Sequence, residues 1–198
     1  MSCVLDSLRR SIYTSRQSLR RHNLEMAKAA LLKKHRPLIE SVAEIMLVFS
    51  AFDELWPQMD PLVRQNAAQH LAREVSQRLG LPSCPDVVFS DTGPRQQLGL
   101  YSHARHAVML KPRLLEDPWR LMEAIAHELW HAYQWHRIER AETPEDKHYL
   151  RCLTHYIQPI PIVGAGPPLF QSAYEEQYVE SEANAFSSIV TGLESISE

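Results

Sequence analysis

The sequence predicts an α+β fold: a helical N-terminal region, a small sheet, and then helices that carry the chemistry. Three observations predict it. Apolar residues recur at helical spacing from about Ser18 to Leu79, a short β-branched and aromatic stretch follows Pro85, and a second proline-capped helical pattern opens at Asp117. A chain of 198 residues, 44% of them apolar, is long enough for one well-buried core. It divides at the change of texture into a helical N-terminal region over 1–82 and an α+β region over 83–198.

The first 22 residues, "MSCVLDSLRRSIYTSRQSLRRH", are rich in arginine and serine, with Asp6 as their single acid. The plainest reading is a frayed polar lead-in, although the composition also suits a transit peptide or a tail for non-classical secretion. The segment lacks the apolar stretch that a secretory signal needs, and no run of 18 apolar residues occurs anywhere. The expected location is therefore the cytoplasm, or outside the cell by a non-classical route. Leu24, Ala27 and Leu31, then Leu38, Val42, Ile45, Phe49 and Phe52, keep a helical period that Pro37 interrupts. A helix pair or one kinked helix results. Asp60-Pro61 reads as an N-cap followed by a first helical residue, and Leu62, Val63, Ala67, Leu71, Val75 and Leu79 carry that helix to a stop at Gly80.

After Pro85, "DVVFS" reads as a strand, and "LGLYSHARHAVML" sets Leu98/Leu100 and Val108/Leu110 around a polar turn as a hairpin. Asp117-Pro118 then repeats the capping pattern and opens a helix to about Arg137, with Leu121, Met122, Ile125, Ala126 and Leu129 on its apolar side. The net charge of -3 gives no general reason to expect nucleic acid or an anionic membrane surface as a partner. Cys3, Cys84 and Cys152 are odd in number and far apart, so they form neither a disulfide framework nor a zinc knuckle.

The chemistry is concentrated in "AIAHELWHAY", residues 124–133. His127 and His131 stand one helical turn apart on one face, so both imidazoles can reach one ion, and Glu128 projects beside that ion. A hydrolytic zinc site uses such a set: the ion lowers the pKa of a water towards about 7, and a carboxylate takes the proton as that water attacks a carbonyl. Ten histidines make chance pairs common, so a third ligand decides the matter. The third histidine of a metzincin pattern is excluded, because Arg137 stands at its position. His136 is rotated about 140° away from His131 and points elsewhere. The remaining source is "AYEEQYVESEANAFSSI", residues 173–189, which reads as a helix.

HELWH followed by E-S-E-A-N-A-F resembles the gluzincin zinc metallopeptidases, especially small ones of the ImmA/IrrE and minigluzincin kinds. The resemblance covers about residues 97–190 and says nothing specific about residues 1–80. It implies a zincin-like domain with a small mixed sheet and two motif-bearing helices, one zinc ion, and a protein or peptide substrate. It also implies His127, His131 and Glu180 as ligands, Glu128 as general base, Ala183 as the small packing residue, and Asn184 as the partner that orients a ligand histidine. Glu182 and Glu176 stay open as alternative ligands. Glu182 lies about 200° around the helix from Glu180, so at most one of them faces the metal. The chain departs from many such enzymes in carrying asparagine where they have aspartate after the alanine.

The resemblance further implies that "HAVMLKP", residues 106–112, is an edge strand on which substrate pairs as an added strand, though an ordinary core strand is an equal reading. The prolines and glycines of "QPIPIVGAGPP" exclude regular helix between the two motif helices, and a loop of that length suggests a substrate flap. An oxyanion stabiliser should exist. Tyr174, Tyr178, His148 and His155 are the candidates, and Tyr178 is the one named. Trp130 and Trp135 read as packing residues. The sequence thus points to a zinc metallopeptidase, with a metal-binding regulatory or interaction domain lacking turnover as the alternative.

Overall fold

Pro37 bends the first helix without ending it. The computed structural model describes residues 2–92 (side chains from 21), 97–140, 142–154 (side chains to 153) and 177–192. Helix α1 runs Ser2–Ser50, and its one non-helical residue is His35 (φ -126, ψ 21), two before the proline. Proline lacks the N–H that would bond the Lys33 carbonyl, so the turn before it opens into a kink. The lead-in that reads as frayed is the start of this helix, since neither proline nor glycine occurs from Ser2 to Arg36. Beyond the kink, Ile39, Val42, Ala43, Met46 and Phe49 form the buried stripe, whereas Phe52 is exposed.

Helix α2 spans Pro61–Arg78 as the sequence predicts. Asp60 Oδ1 accepts from the Leu62 N–H at 2.8 Å. At the other end Gly80 adopts φ 69, and the Leu81 and Gly80 amides bond back to the Ser76 and Gln77 carbonyls. That left-handed stop is what a glycine after the last helical turn provides.

The sheet has three strands, β1 (Asp86–Phe89), β2 (Gly99–Ser102) and β3 (Ala107–Leu110), in the order β1-β3-β2. β2 and β3 form the expected antiparallel hairpin, with Tyr101 opposite Val108, and β1 joins β3 in parallel. The sheet is therefore mixed. One expectation is corrected: β3 is the central strand with both edges occupied, so a substrate strand cannot pair with it. The apolar pattern of Ala107–Leu110 does not reveal this; the pairing of that strand with both Asp86–Phe89 and Gly99–Ser102 does.

Helix α3 (Pro118–Arg140) opens with Asp117 Oδ1 accepting from the Arg120 amide at 3.1 Å, and it runs a turn beyond the expected end. The segment after it is not wholly irregular, because residues Pro144–Thr154 form helix α4. Its start is a capping box: Thr143 Oγ1 accepts from the Asp146 amide at 3.2 Å, and Asp146 Oδ2 accepts from the Thr143 amide at 2.7 Å. The proline- and glycine-rich stretch and its proposed flap lie outside the described residues, as do His155, Tyr174 and Glu176.

Helix α5 (Tyr178–Thr191) packs against both α1 and α3. One continuous apolar cluster runs from Leu31, Val42 and Phe49 of α1 through Leu71 of α2 and Ile125 and Trp130 of α3 to Phe186 of α5. The N-terminal helices thus share the core of the region that follows them. Among the described residues, no helix is long and apolar enough to cross a membrane.

Candidate metal centre

Two packed helices bring three polar side chains to one point. His127 and His131 lie one turn apart on α3, and Glu180 sits in the first turn of α5, where the helix dipole favours a carboxylate. The two Nε2 atoms are 3.1 Å apart, Glu180 Oε1 is 3.2 Å from His131 Nε2, and Glu180 Oε2 is 3.4 Å from His127 Nε2. Among the described residues this is the one cluster of three or more such groups whose ligand atoms all lie within 4.8 Å of one another.

Those separations can be tested against an ion. Tetrahedral zinc with ligands at about 2.0–2.1 Å separates its ligand atoms by about 3.3–3.4 Å. The two imidazole nitrogens stand close to this separation, each faces a different oxygen of Glu180 at a similar one, and two nitrogens with one carboxylate are a donor set that zinc accepts while keeping a fourth position open. Two imidazole lone pairs facing each other at such a distance need a proton or a cation between them. The Glu180 side chain keeps 2% exposure, against 17% for His127 and 13% for His131, so the cluster opens on its histidine side.

The electrostatics agree. Burial would push the Glu180 carboxyl up, but His131 and His127 hold it far below the usual carboxylate range. Burial would lower His131, but the charge and hydrogen bond of Glu180, with Glu128 and Gln134, raise it to about 9. A group of this polarity, nearly out of water, is built to hold positive charge.

The tautomer of His131 is set by a residue that the sequence does not single out. His131 Nδ1 is 2.9 Å from Gln134 Oε1, and the Gln134 amide nitrogen donates to the Val179 carbonyl at 3.1 Å. Because the amide nitrogen faces a carbonyl, its oxygen faces the ring. Nδ1 therefore carries a hydrogen, so when the ring gives up its other proton to a metal it is Nε2 that offers the lone pair. At His131 this orienting position belongs to Gln134, not to the expected Asn184. A glutamine three residues after a candidate ligand, on the same helical face, is the signal that would have found it.

Glu128 is held by the sheet. Its Oε2 accepts from the Tyr101 amide of β2 at 2.6 Å, and the residue is 6% exposed. Burial pushes its carboxyl up, His127 and His131 pull it down, Glu180 pushes it up again, and the Tyr101 amide pulls it down; the net shift is upward. Gly99 makes room: a β-carbon there would meet Glu128 Oε1 at 2.7 Å and its Cγ at 2.9 Å. A glycine inside a strand often marks such an approach, which is the signal available in "LGLYS".

Glu182 faces away from the histidines: its Oε2 accepts from the Tyr149 hydroxyl at 2.7 Å and from Gln134 Nε2 at 3.4 Å, and its Oε1 accepts from the Tyr178 hydroxyl. Tyr178 is thus engaged with Glu182, and its oxygen also accepts from Lys34 Nζ at 3.2 Å. The oxyanion role named for Tyr178 would require it to leave both partners. His148 packs edge-on to the Tyr178 ring at 4.4 Å, and His136 Nδ1 lies 3.9 Å from Glu139. Trp130 is fully buried and stacks on Phe186 at 4.4 Å, while Trp135 stacks on His103.

No family model matches the chain, and neither a curated protein nor a solved structure matches it. Fold and cluster together define an α+β chain in which two helices present a His-His-Glu set with a buried glutamate beside it.

Proposed function

We propose that the chain is a zinc-dependent metallopeptidase of the gluzincin kind. The observation that carries this reading is the convergence of His127, His131 and Glu180, whose ligand atoms lie within 4.8 Å of one another, with Glu128 fixed between that cluster and strand β2. Bound there, zinc would supply Lewis acidity, polarising an oxygen and lowering the pKa of water towards about 7.

The protein's own residues supply the rest. Glu128 takes the proton of the attacking water and returns it to the leaving amine. Its carboxyl, raised by burial, suits a group that must do both near neutral pH. Gln134 keeps the His131 nitrogen oriented, and Glu180 balances the charge. β2 is the sheet edge beside Glu128, so an extended peptide would align along β2.

A metal-binding module without turnover needs the three ligands but not a buried Glu128 held by a strand amide beside them. The space left by Gly99 favours the enzyme. The test is digestion of a broad peptide library by the zinc-loaded protein, followed by mass spectrometry. Discrete cleavage sites that vanish with Glu128→Gln are expected. An intact library with zinc bound would transfer the assignment to the binding module.

A further inference from the structure

Helix α5 buries a second acid two residues after the candidate ligand, and nothing in the proposed reaction uses it. Glu182 is 5% exposed and receives three donors, the Tyr149 and Tyr178 hydroxyls and the Gln134 amide. Three converging donors call for an acceptor-only group, which an ionised carboxylate is and an amide is not. The cation facing it is Lys34 of α1, 4.0 Å from Glu182 Oε1, 3.2 Å from the Tyr178 hydroxyl and 2.8 Å from Glu145 of α4.

These contacts join the metal cluster at one end. Glu182 takes the Gln134 amide nitrogen, Gln134 presents its oxygen to His131 Nδ1, and His131 turns Nε2 towards Glu180. We propose that Glu182 and Lys34 are positioning residues for the metal centre, forming with Tyr149, Tyr178 and Gln134 a relay that locks His131 in its metal-binding tautomer. This rests on the metal-centre reading given above. Reversal of the Gln134 amide would put an N–H against His131 Nδ1, forcing the ring to surrender the tautomer or the hydrogen bond; the carboxylate of Glu182 makes that reversal unfavourable. The relay draws on α1, α3, α4 and α5, so the N-terminal helix helps set the affinity of a centre whose ligands it does not supply.

The experiment is zinc affinity by competition with a chromophoric chelator, alongside the melting temperature of the metal-free protein. The variants are Glu182→Gln, Tyr149→Phe and Lys34→Met, with the exposed Glu40→Gln as control. Glu182→Gln is expected to weaken zinc binding about 10- to 100-fold, the scale for outer partners of metal ligands. Lys34→Met, removing a half-exposed ion pair, should weaken it about two- to fivefold. The metal-free melting temperature should stay close to wild type in Lys34→Met and fall in Glu182→Gln, whose amide leaves buried donors unmatched, and in the zinc-loaded protein the His131 Nδ1–H resonance should broaden by solvent exchange in Glu182→Gln. Should Glu182→Gln not fold, Tyr149→Phe and Lys34→Met decide. Wild-type affinity in every variant would overturn the relay and leave the metal centre standing. Absence of zinc binding by the wild type itself would overturn the metal centre and the relay with it.

Discussion

Gly99 leaves the space that Glu128 fills: a β-carbon at position 99 would lie 2.7 Å from the Glu128 carboxylate, closer than real β-carbons approach. The strand and the histidine-bearing helix approach so nearly that the proposed general base fits only against a bare backbone. Gly99→Ala should displace Glu128 from the Tyr101 amide without touching the ligands. The expected result is a loss of peptide cleavage approaching the 10²- to 10⁴-fold that general-base catalysis contributes, with zinc content unchanged. Parallel cleavage and metal assays check it, and unimpaired cleavage by the alanine variant would sink the placement of Glu128.

Metal and fold should be coupled, because the proposed ligands come from α3 and α5, whose packing is part of the core. A ligand that binds only the folded state at a thousand times its Kd adds about 4 kcal/mol of stability. Chelation should therefore lower the melting temperature, and zinc should restore it. A melting curve indifferent to chelator, in protein shown to carry zinc, would contradict the interhelical site.

Acid should weaken the joint between α3 and α4. Burial would raise the Asp146 carboxyl, but the Thr143 amide and hydroxyl and the Arg137 guanidinium, 2.6 Å away, hold it below its ordinary value. A carboxyl depressed in the folded state contributes stability that is full above the unfolded pKa of about 3.9 and is lost as pH falls through the folded value. Urea midpoints followed from pH 7 downward should fall in that range, and less steeply in Asp146→Asn. Identical pH profiles for both proteins would remove Asp146 from the account.

Trp130 occupies the seam between α3 and α5, fully buried against Phe186, whereas Trp119 is 45% exposed. Trp130→Ala should cost about 3–5 kcal/mol and Trp119→Ala no more than about 1 kcal/mol. Equal costs from denaturant titration would mean that the core has been misplaced.

Much of this was legible in the sequence for identifiable physical reasons. Asp60-Pro61 and Asp117-Pro118 announce their helices because capping is local chemistry, and the spacing of His127 and His131 puts both on one face by helical geometry alone. Glu180 emerged from a resemblance, and it is the acid that the structure brings to the histidines, whereas Glu182 is turned to Tyr149 and Tyr178. The strand order was not legible, because the hairpin pattern of β2 and β3 is the same whether or not β1 pairs beyond it. Helix α4 went unread although Thr143 and Asp146 spell a capping box, since the prolines and glycines downstream dominated the segment. Lys34 could not be tied to the site at all: its relation to Glu182 spans most of the chain and exists only after α1 packs on α5.

The central claim is tested most directly by the zinc content of the purified protein and of Glu180→Ala, measured by elemental analysis after mild dialysis. The account predicts about one zinc per wild-type chain and a sharp fall in the variant. A wild type that holds no zinc even when it is supplied, or a variant that holds as much as the wild type, would contradict it.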